Sequence, residues 1–393
     1  MTILVLSAVF PPKIGGSGRW LWELYRRINS HRIHVVASVI PGAKEFDATS
    51  ELTIHRMPLE LSNWGLFDPR GVLQYGRAFA RLNRLVSQLQ PDVIHCGKCL
   101  PEGLLALLVK QWRGIPFCFY AHGEELTLAD TSHELRWLTR RVSAASGLIV
   151  ANTENTRQIV MTTFRAPKEK VVVLHPGVDA SRFKPAAPDP AVRRRLGWEG
   201  RKVVLTVGAL QRRKGQDLFI RALPAIRRQC PDVLYAMIGE GWEKEYLEKL
   251  VDEHGVGDVV QFRGIPNDDE LILCYQQCDL FALPNRQVDS DIEGFGIVLI
   301  EAQACAKAVV AGRSGGTREA LEPGRTGELI ACETPDELAT VIPALLHDES
   351  RRAVMGAHAR EYVLARFDWP VLVRKAEAFF NATAGRGFTQ NSV

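Results

Sequence analysis

No stretch of this 393-residue sequence reaches the roughly 18 consecutive uncharged, apolar residues that a membrane-crossing helix needs. The apolar start, Met1 to Phe10, lacks a basic flank and runs straight into Pro11-Pro12. It reads as a first β-strand rather than a secretory leader, and on that reading the protein is expected in the cytoplasm. Short repeats and low-complexity segments are missing, as are helix-turn-helix, zinc-finger and RNA-recognition patterns, so nucleic acid is not an expected partner. The first glycine loop is not G-x-G-x-x-G, which removes the nicotinamide fingerprint. Cysteine is present eight times, but only Cys96 and Cys99 form a C-x-x-C, and no second pair at ligand spacing follows. Most of the thiols sit in apolar runs such as Phe117-Cys118-Phe119, as small buried hydrophobes would.

What is present is ordinary globular composition, 46% hydrophobic and 24% charged. At about 150 residues per domain the length predicts two or three domains. The net charge of +4 is unevenly spread: residues 1–185 carry 23 basic and 15 acidic side chains (+8), and residues 186–393 carry 26 and 30 (−4). A basic first half suggests an anionic partner, and an anionic membrane surface is the reading preferred here. Between Arg70 and Gln90, Arg77, Arg81 and Arg84 fall three and four apart on one helix face. Val72, Phe79, Leu82, Val86 and Leu89 supply apolar contacts on the other. Such a helix can lie on an anionic bilayer; an ordinary surface helix packed on a sheet gives the same pattern.

Short β-rich runs alternate with helical patterns along the chain, the form of βαβ units and parallel sheets. The first set is Ile3–Val9, Ile33–Ile40, Val93–His95, Phe117–Ala121, Leu148–Ala151 and Val171–Leu174. A Pro/Gly-punctuated stretch from His175 to Pro185 reads as a linker. The pattern restarts with Val203–Val207, Val233–Ile238, Val259–Phe262, Leu280–Leu283, Val309–Ala311 and Glu328–Ile330. Residues 336–380 look helical, with a break at Phe367-Asp368-Trp369-Pro370. Two parallel sheets whose strand C-termini face a shared cleft would bind ligands there.

The residues that carry chemistry cluster at strand ends. Glu293-Gly294-Phe295-Gly296-Ile297 reads as a glycine loop opening a helix, with Glu301 further along it. Backbone amides and the helix N-terminus suit an anion, and the two acids could grip two ends of one ligand. A capped, partly buried helix with incidental acids gives the same spelling. After the strand Val203–Val207, Gly208 to Gly215 carries Arg212, Arg213 and Lys214, a phosphate site or a solvated basic turn. Gly15-Gly16-Ser17-Gly18 follows the first strand, ahead of a helix beginning near Arg19, and could offer backbone donors to a phosphate. His122 follows the strand Phe117–Ala121, as a ligand contact or as a structural histidine. Asp289-Ser290-Asp291 spells D-x-D, which elsewhere holds a divalent metal, but no apolar strand leads into it.

Taken in order, these pieces resemble glycosyltransferase family 4, retaining enzymes of the GT-B fold. The resemblance rests on Phe10-Pro11-Pro12 with Gly15-Gly16, His122-Gly123, Gly177-Val178-Asp179 with Phe183 and Pro185, Arg213-Lys214-Gly215, Ile238-Gly239-Glu240-Gly241 and Leu283-Pro284. Glu293 and Glu301, with seven residues between them, then Gly315-Gly316 and Glu319, complete it. It implies an α/β GT-B protein of two Rossmann-like domains, with parallel sheets facing a central cleft. Residues 1–180 would form the acceptor-side domain and 181–370 the donor-binding domain, with a C-terminal helix, 371–393, packing back on the first.

The resemblance also implies roles. Arg213 and Lys214 match the basic pair on the donor diphosphate, Glu301 the acid on the ribose, and Glu293 the acid beside the donor sugar. Phe295, Gly296 and Ile297 would give backbone contacts, Gly16 would meet the distal phosphate, and His122 would contact the sugar near its hydroxymethyl group. Ala209 departs from the arginine frequent after the strand's glycine, so the diphosphate would lean on Arg213 and Lys214, with help from Arg212. The acceptor would attack from the leaving-group face, with a phosphate oxygen helping to remove its proton, and no metal or other cofactor is required. The segment Glu293 to Gly316 looks most like phosphatidylinositol mannosyltransferases, which favours mannose from GDP-mannose and a lipid-linked or glycan acceptor. Such an enzyme would be peripheral on the inner face of the membrane. An epimerase on the same fold, and a non-catalytic sugar-nucleotide-binding protein, are the competing readings.

Overall fold

The computed structural model describes residues 1–13, 15–289 and 291–385. They divide into two compact units, Met1–Pro176 with the final helix Trp369–Gly385, and Gly177–Asp368.

The first unit holds seven strands: β1 (Thr2–Ser7), β2 (Arg32–Ala37), β3 (Thr53–Arg56), β4 (Val93–Cys96), β5 (Phe117–Ala121), β6 (Leu148–Ala151) and β7 (Val171–Val173). They lie parallel in the order β3-β2-β1-β4-β5-β6-β7. Both faces of the central strands are covered. Ile3 and Val5 of β1 pack with Trp20, Leu24 and Phe380, while Leu4 and Leu6 pack on the other side with Leu82, Leu104 and Leu105. Burial on two faces is why these strands read as unbroken apolar runs.

Strand β3 escaped the sequence reading for the opposite reason. Thr53-Ile54-His55-Arg56 lies at the sheet edge with a single aliphatic side chain, so it carries no apolar signal. The helix read as beginning near Arg19 begins at Gly16, with Gly15 at its N-cap. The long helical stretch near the end is also more divided than expected. Besides the break at Phe367-Asp368, Asp348 separates Pro335–His347 from Glu349–Arg366, and its side chain accepts from Arg351 N at 2.8 Å.

The second unit holds β8 (Lys202–Val207), β9 (Val233–Ile238), β10 (Val260–Phe262), β11 (Leu280–Leu283), β12 (Val309–Gly312) and β13 (Gly327–Ile330). The order is β10-β9-β8-β11-β12-β13, again all parallel. Each sheet therefore grows one way from its first strand and then the other. The reversal lies between β1 and β4 in the first unit and between β8 and β11 in the second. Loops leaving the two strands of such a switch point diverge and form the crevice where parallel sheets hold ligands. Two sequence-distant loops are thereby made neighbours, 208–215 after β8 and 284–296 after β11.

The helix Pro69–Leu89 corrects the membrane reading in one respect. Tyr75, Ala78, Leu82 and Val86 are buried in the core of the first unit, and Phe79 and Leu89 pack against it. Apart from Val72, the apolar face proposed for a bilayer is committed to the protein. Arg77, Arg81 and Arg84 remain exposed, as do Val72, Leu73 and, before the helix, Phe67.

The final helix docks through a fully buried polar group. Phe380 stacks on Tyr25 with ring centroids 6.3 Å apart and meets His95 at 4.5 Å. The Tyr25 hydroxyl bonds His95 Nδ1 at 2.6 Å and the Tyr120 hydroxyl at 2.9 Å. Burial pushes the His95 pKa down to about 3, so the ring is neutral at ordinary pH. Tyr25→Phe removes the central hydroxyl while keeping the ring, and strands two buried polar groups. We expect a loss of about 1–3 kcal/mol, read as a lower urea midpoint at unchanged slope; an unchanged midpoint would mean the triad adds nothing.

Candidate functional site

The basic turn after β8 is a short 3₁₀ turn, Arg212–Lys214, closed by Gly215 in the left-handed region at φ +76°. A Cβ at Gly215 would lie 1.8 Å from the carbonyl oxygen of Pro284, so only glycine lets the turn approach the loop after β11. Arg286 N donates to Arg213 O at 2.8 Å, and the Arg286 guanidinium makes a two-pronged pair with Asp217, both bonds 2.8 Å. This joint is largely buried and fixes the turn from beneath.

The loop after β11 is fixed equally firmly. Asn285, fully buried, accepts from Gly312 N at 3.1 Å and donates to Ser314 O at 3.2 Å. Gly316 N donates to Glu293 O at 3.0 Å, and Gly315, at φ +62°, would place a Cβ 2.0 Å from the same carbonyl. The Gly315-Gly316 pair thus holds the backbone of Glu293.

Between these loops the side chains converge. Lys214 Nζ lies 2.5 Å and Arg213 Nη1 2.6 Å from the same oxygen, Glu293 Oε2. Arg213 Nε lies 3.1 Å from Asp291 Oδ1. Burial opposes ionisation of Glu293, but the adjoining Lys214 and Arg213 charges and their hydrogen bonds outweigh it and hold its carboxyl below the usual carboxylate range. The carboxylate is ionised at neutral pH, and two cations stand at one point at the sheet's switch point. Such a site suits a diphosphate.

Arg212 does not join them. Its guanidinium bonds Glu243 at 3.0 Å and lies over the Tyr246 ring at 4.5 Å. Phe295 is buried against Phe367, at 5.5 Å between ring centroids. Gly296, at φ +84°, caps the helix Ile297–Ala304. Glu301 lies within that helix, buried, and accepts from the Tyr275 hydroxyl at 2.8 Å. Of the D-x-D spelling, Ser290 lies outside the described residues, and Asp291 faces Arg213.

Gly16 and His122 belong to the first unit. His122 Nε2–H donates to Gly97 O at 2.8 Å. Burial, with the nearby Lys98 charge, pushes its pKa down to about 4, against the opposing pull of Gly97 and Glu124. The ring is therefore neutral and presents Nδ1 as an acceptor, suited to a hydroxyl donor. Trp20, in the helix opened by Gly16, meets the His122 ring edge-on at 5.4 Å. The loop after β1 is tied to the residues after β4, since Ala8 N donates to the buried Glu102 at 2.9 Å. All eight cysteines, Cys96 and Cys99 included, are buried free thiols.

Asn285, Arg286 and Asp217 were missed as parts of this site, and Asp291 was read only as part of the D-x-D spelling. Asn285 and Arg286 follow β11 after the single residue Pro284, and a polar pair leaving a buried parallel strand is the signal that could have drawn attention to them.

Family models match on both sides of the chain: "Glycosyltransferase Family 4" over residues 14–182 and "Glycosyl transferases group 1" over residues 189–362. A relative in Mycolicibacterium smegmatis, a GDP-mannose-dependent alpha-(1-6)-phosphatidylinositol monomannoside mannosyltransferase, is 32% identical over 93% of this chain and 95% of its own. A Corynebacterium glutamicum relative, a GDP-mannose-dependent monoacylated alpha-(1-6)-phosphatidylinositol monomannoside mannosyltransferase, is 30% identical over 94% of this chain and 95% of its own. Among solved structures, Anabaena HepE in complex with UDP superposes with a TM-score of 0.80 at 21% identity, covering 97% of this chain and all of HepE. Sucrose-phosphate synthase of Thermosynechococcus elongatus does so at 0.80 and 18%, covering 98% of this chain and all of the synthase. These two likenesses establish the GT-B fold. The chain belongs to glycosyltransferase family 4 and is a glycosyltransferase.

Proposed function

We propose that the enzyme transfers mannose from GDP-mannose, with retention of anomeric configuration, to a lipid-linked or glycan acceptor, without a metal. The observation that carries this is the convergence of Arg213 and Lys214 on Glu293 where the second sheet reverses. Cleaving the donor leaves negative charge on the diphosphate and positive charge on the sugar. Arg213 and Lys214, already fixed by the Pro284–Arg286 joint, would meet the first without reorganising, and the Glu293 carboxylate stands beside the second. Glu301 would hold the ribose and Gly16 the distal phosphate, while the neutral His122 would accept from a sugar hydroxyl. The choice of GDP-mannose and of a lipid-linked acceptor is supported by the activities of the mycobacterial and corynebacterial relatives. Those relatives are transferases, which favours transfer over epimerisation or binding alone.

Charge-assisted contacts of this kind are worth about 1.5–3 kcal/mol, so Lys214→Ala should weaken GDP binding about tenfold to a hundredfold. Calorimetry with GDP and UDP, followed by product analysis with lipid acceptors, tests both donor and reaction. Unchanged affinity in the variant would remove Lys214 from the site.

The same charges support metal independence, since two fixed cations would face the leaving group. Transfer should continue in excess EDTA at its initial rate. Activity lost to the chelator and restored only by magnesium or manganese would reinstate a divalent ion.

A lipid-linked acceptor must be met at a membrane face on the cytoplasmic side, and the exposed Arg77, Arg81 and Arg84, with Phe67, Val72 and Leu73 also exposed in this segment, support a peripheral location there. No helix of the described residues is long and apolar enough to cross a membrane. At about 1 kcal/mol per basic residue near an anionic surface, the protein should sediment with anionic liposomes at low salt. It should do so less in an Arg77→Gln, Arg81→Gln, Arg84→Gln triple variant. Wild-type protein that stays in the supernatant would favour a soluble acceptor.

A further inference from the structure

The D-x-D spelling left one residue without a role. Asp291 stands two residues before Glu293, and its carboxylate reaches a different edge of the Arg213 guanidinium. Asp291 Oδ1 is 3.1 Å from Nε, while Glu293 Oε2 is 2.6 Å from Nη1. Its backbone is held by reciprocal bonds with Val288, N to O at 2.8 and 3.1 Å, which close a tight turn. The Arg213 side chain is 13% exposed and that of Asp291 45%, so the pair runs from the buried floor of the site towards solvent.

Two carboxylates, Asp291 and Glu293, thus face the two cations that would receive a nucleoside diphosphate. The ligand brings two or three negative charges of its own. Its binding must share Arg213 and Lys214 with acids already in place, and the Asp291 charge opposes it. The Asp291 oxygen does something different, for it fixes the rotation of the guanidinium about its long, flexible stem. From this we infer, on the reading of Arg213 as a phosphate contact, that Asp291 is a positioning residue. It aims Arg213 at the diphosphate and at the same time lowers the affinity for the diphosphate product, favouring its release after transfer.

The two effects separate by substitution. Asp291→Asn keeps an acceptor oxygen for Arg213 Nε and removes the charge; Asp291→Ala removes both. A half-exposed ion pair has a coupling that corresponds to about a two- to fivefold change in affinity. Asp291→Asn should therefore bind GDP about two- to fivefold more tightly than wild type at low salt and be more strongly inhibited by it as a product. That gain should fade towards 1 M salt, where charges are screened within about 3 Å. Asp291→Ala should show no such gain and a raised KM for the donor.

Titrate wild type and both variants with GDP and UDP by calorimetry at low and high salt. An Asp291→Asn protein that binds no more tightly than wild type, or whose gain ignores salt, overturns the inference while leaving the donor site standing. An Asp291→Ala protein that matches Asp291→Asn removes the aiming role. A wild-type protein that binds neither nucleotide overturns the donor-site reading and this inference with it.

Discussion

One carboxylate oxygen, Glu293 Oε2, receives both Lys214 and Arg213, and the geometry of the second unit is arranged around that contact. A buried acid with a single cation would be a poor bargain, because removing two charges from water costs several kcal/mol per ion. Here the acid has two cations, its backbone is clamped by Gly315-Gly316, and the basic turn is clamped by Arg286 against Asp217. Neither loop can relax away from the other. An arrangement held so tightly by its own residues would stabilise charge as it develops rather than collapse around it.

The topology explains why such distant residues meet. Loops after β8 and β11 are separated by some seventy residues of chain but leave adjacent strands at the place where the sheet changes direction. Glycine at 215 and at 315 then decides how close they come, since in each case a carbonyl oxygen occupies the space of a methyl group. The close approach of these loops depends on small residues at least as much as on charged ones.

Much of this was legible beforehand, and the reasons differ by residue. Strands buried on both faces announced themselves, Val203–Val207 and Val233–Ile238 most clearly, because burial demands apolar side chains at every position. Edge strand β3 did not, because half its surface is wet. The basic turn and the acid pair were visible as a spelling; that Lys214 and Arg213 share one Glu293 oxygen was not, because pairing across the switch point depends on three-dimensional register. The arginines of Pro69–Leu89 were read on the correct side, but the sequence could not say that Leu82 and Val86 on the other side already had partners. Arg212 was expected to help its two neighbours, but Glu243 and Tyr246, 31 and 34 residues further on, hold it instead. The membership in glycosyltransferase family 4, read from an ordered set of short motifs, is upheld by matches along nearly the whole chain.

The helix Trp369–Gly385 belongs to the first unit, although the whole second unit separates it from the rest of that unit in sequence. Trp369, Leu372, Ala376 and Phe380 fill the same core as β1. During synthesis, at about 5–20 residues per second, the first unit must wait with part of its core uncovered while the second unit emerges. The later half of the protein is thus the first whose sequence is complete. A nascent chain stalled before residue 369 would hold one finished unit and one whose Tyr25 and His95 still lack the cover of Phe380.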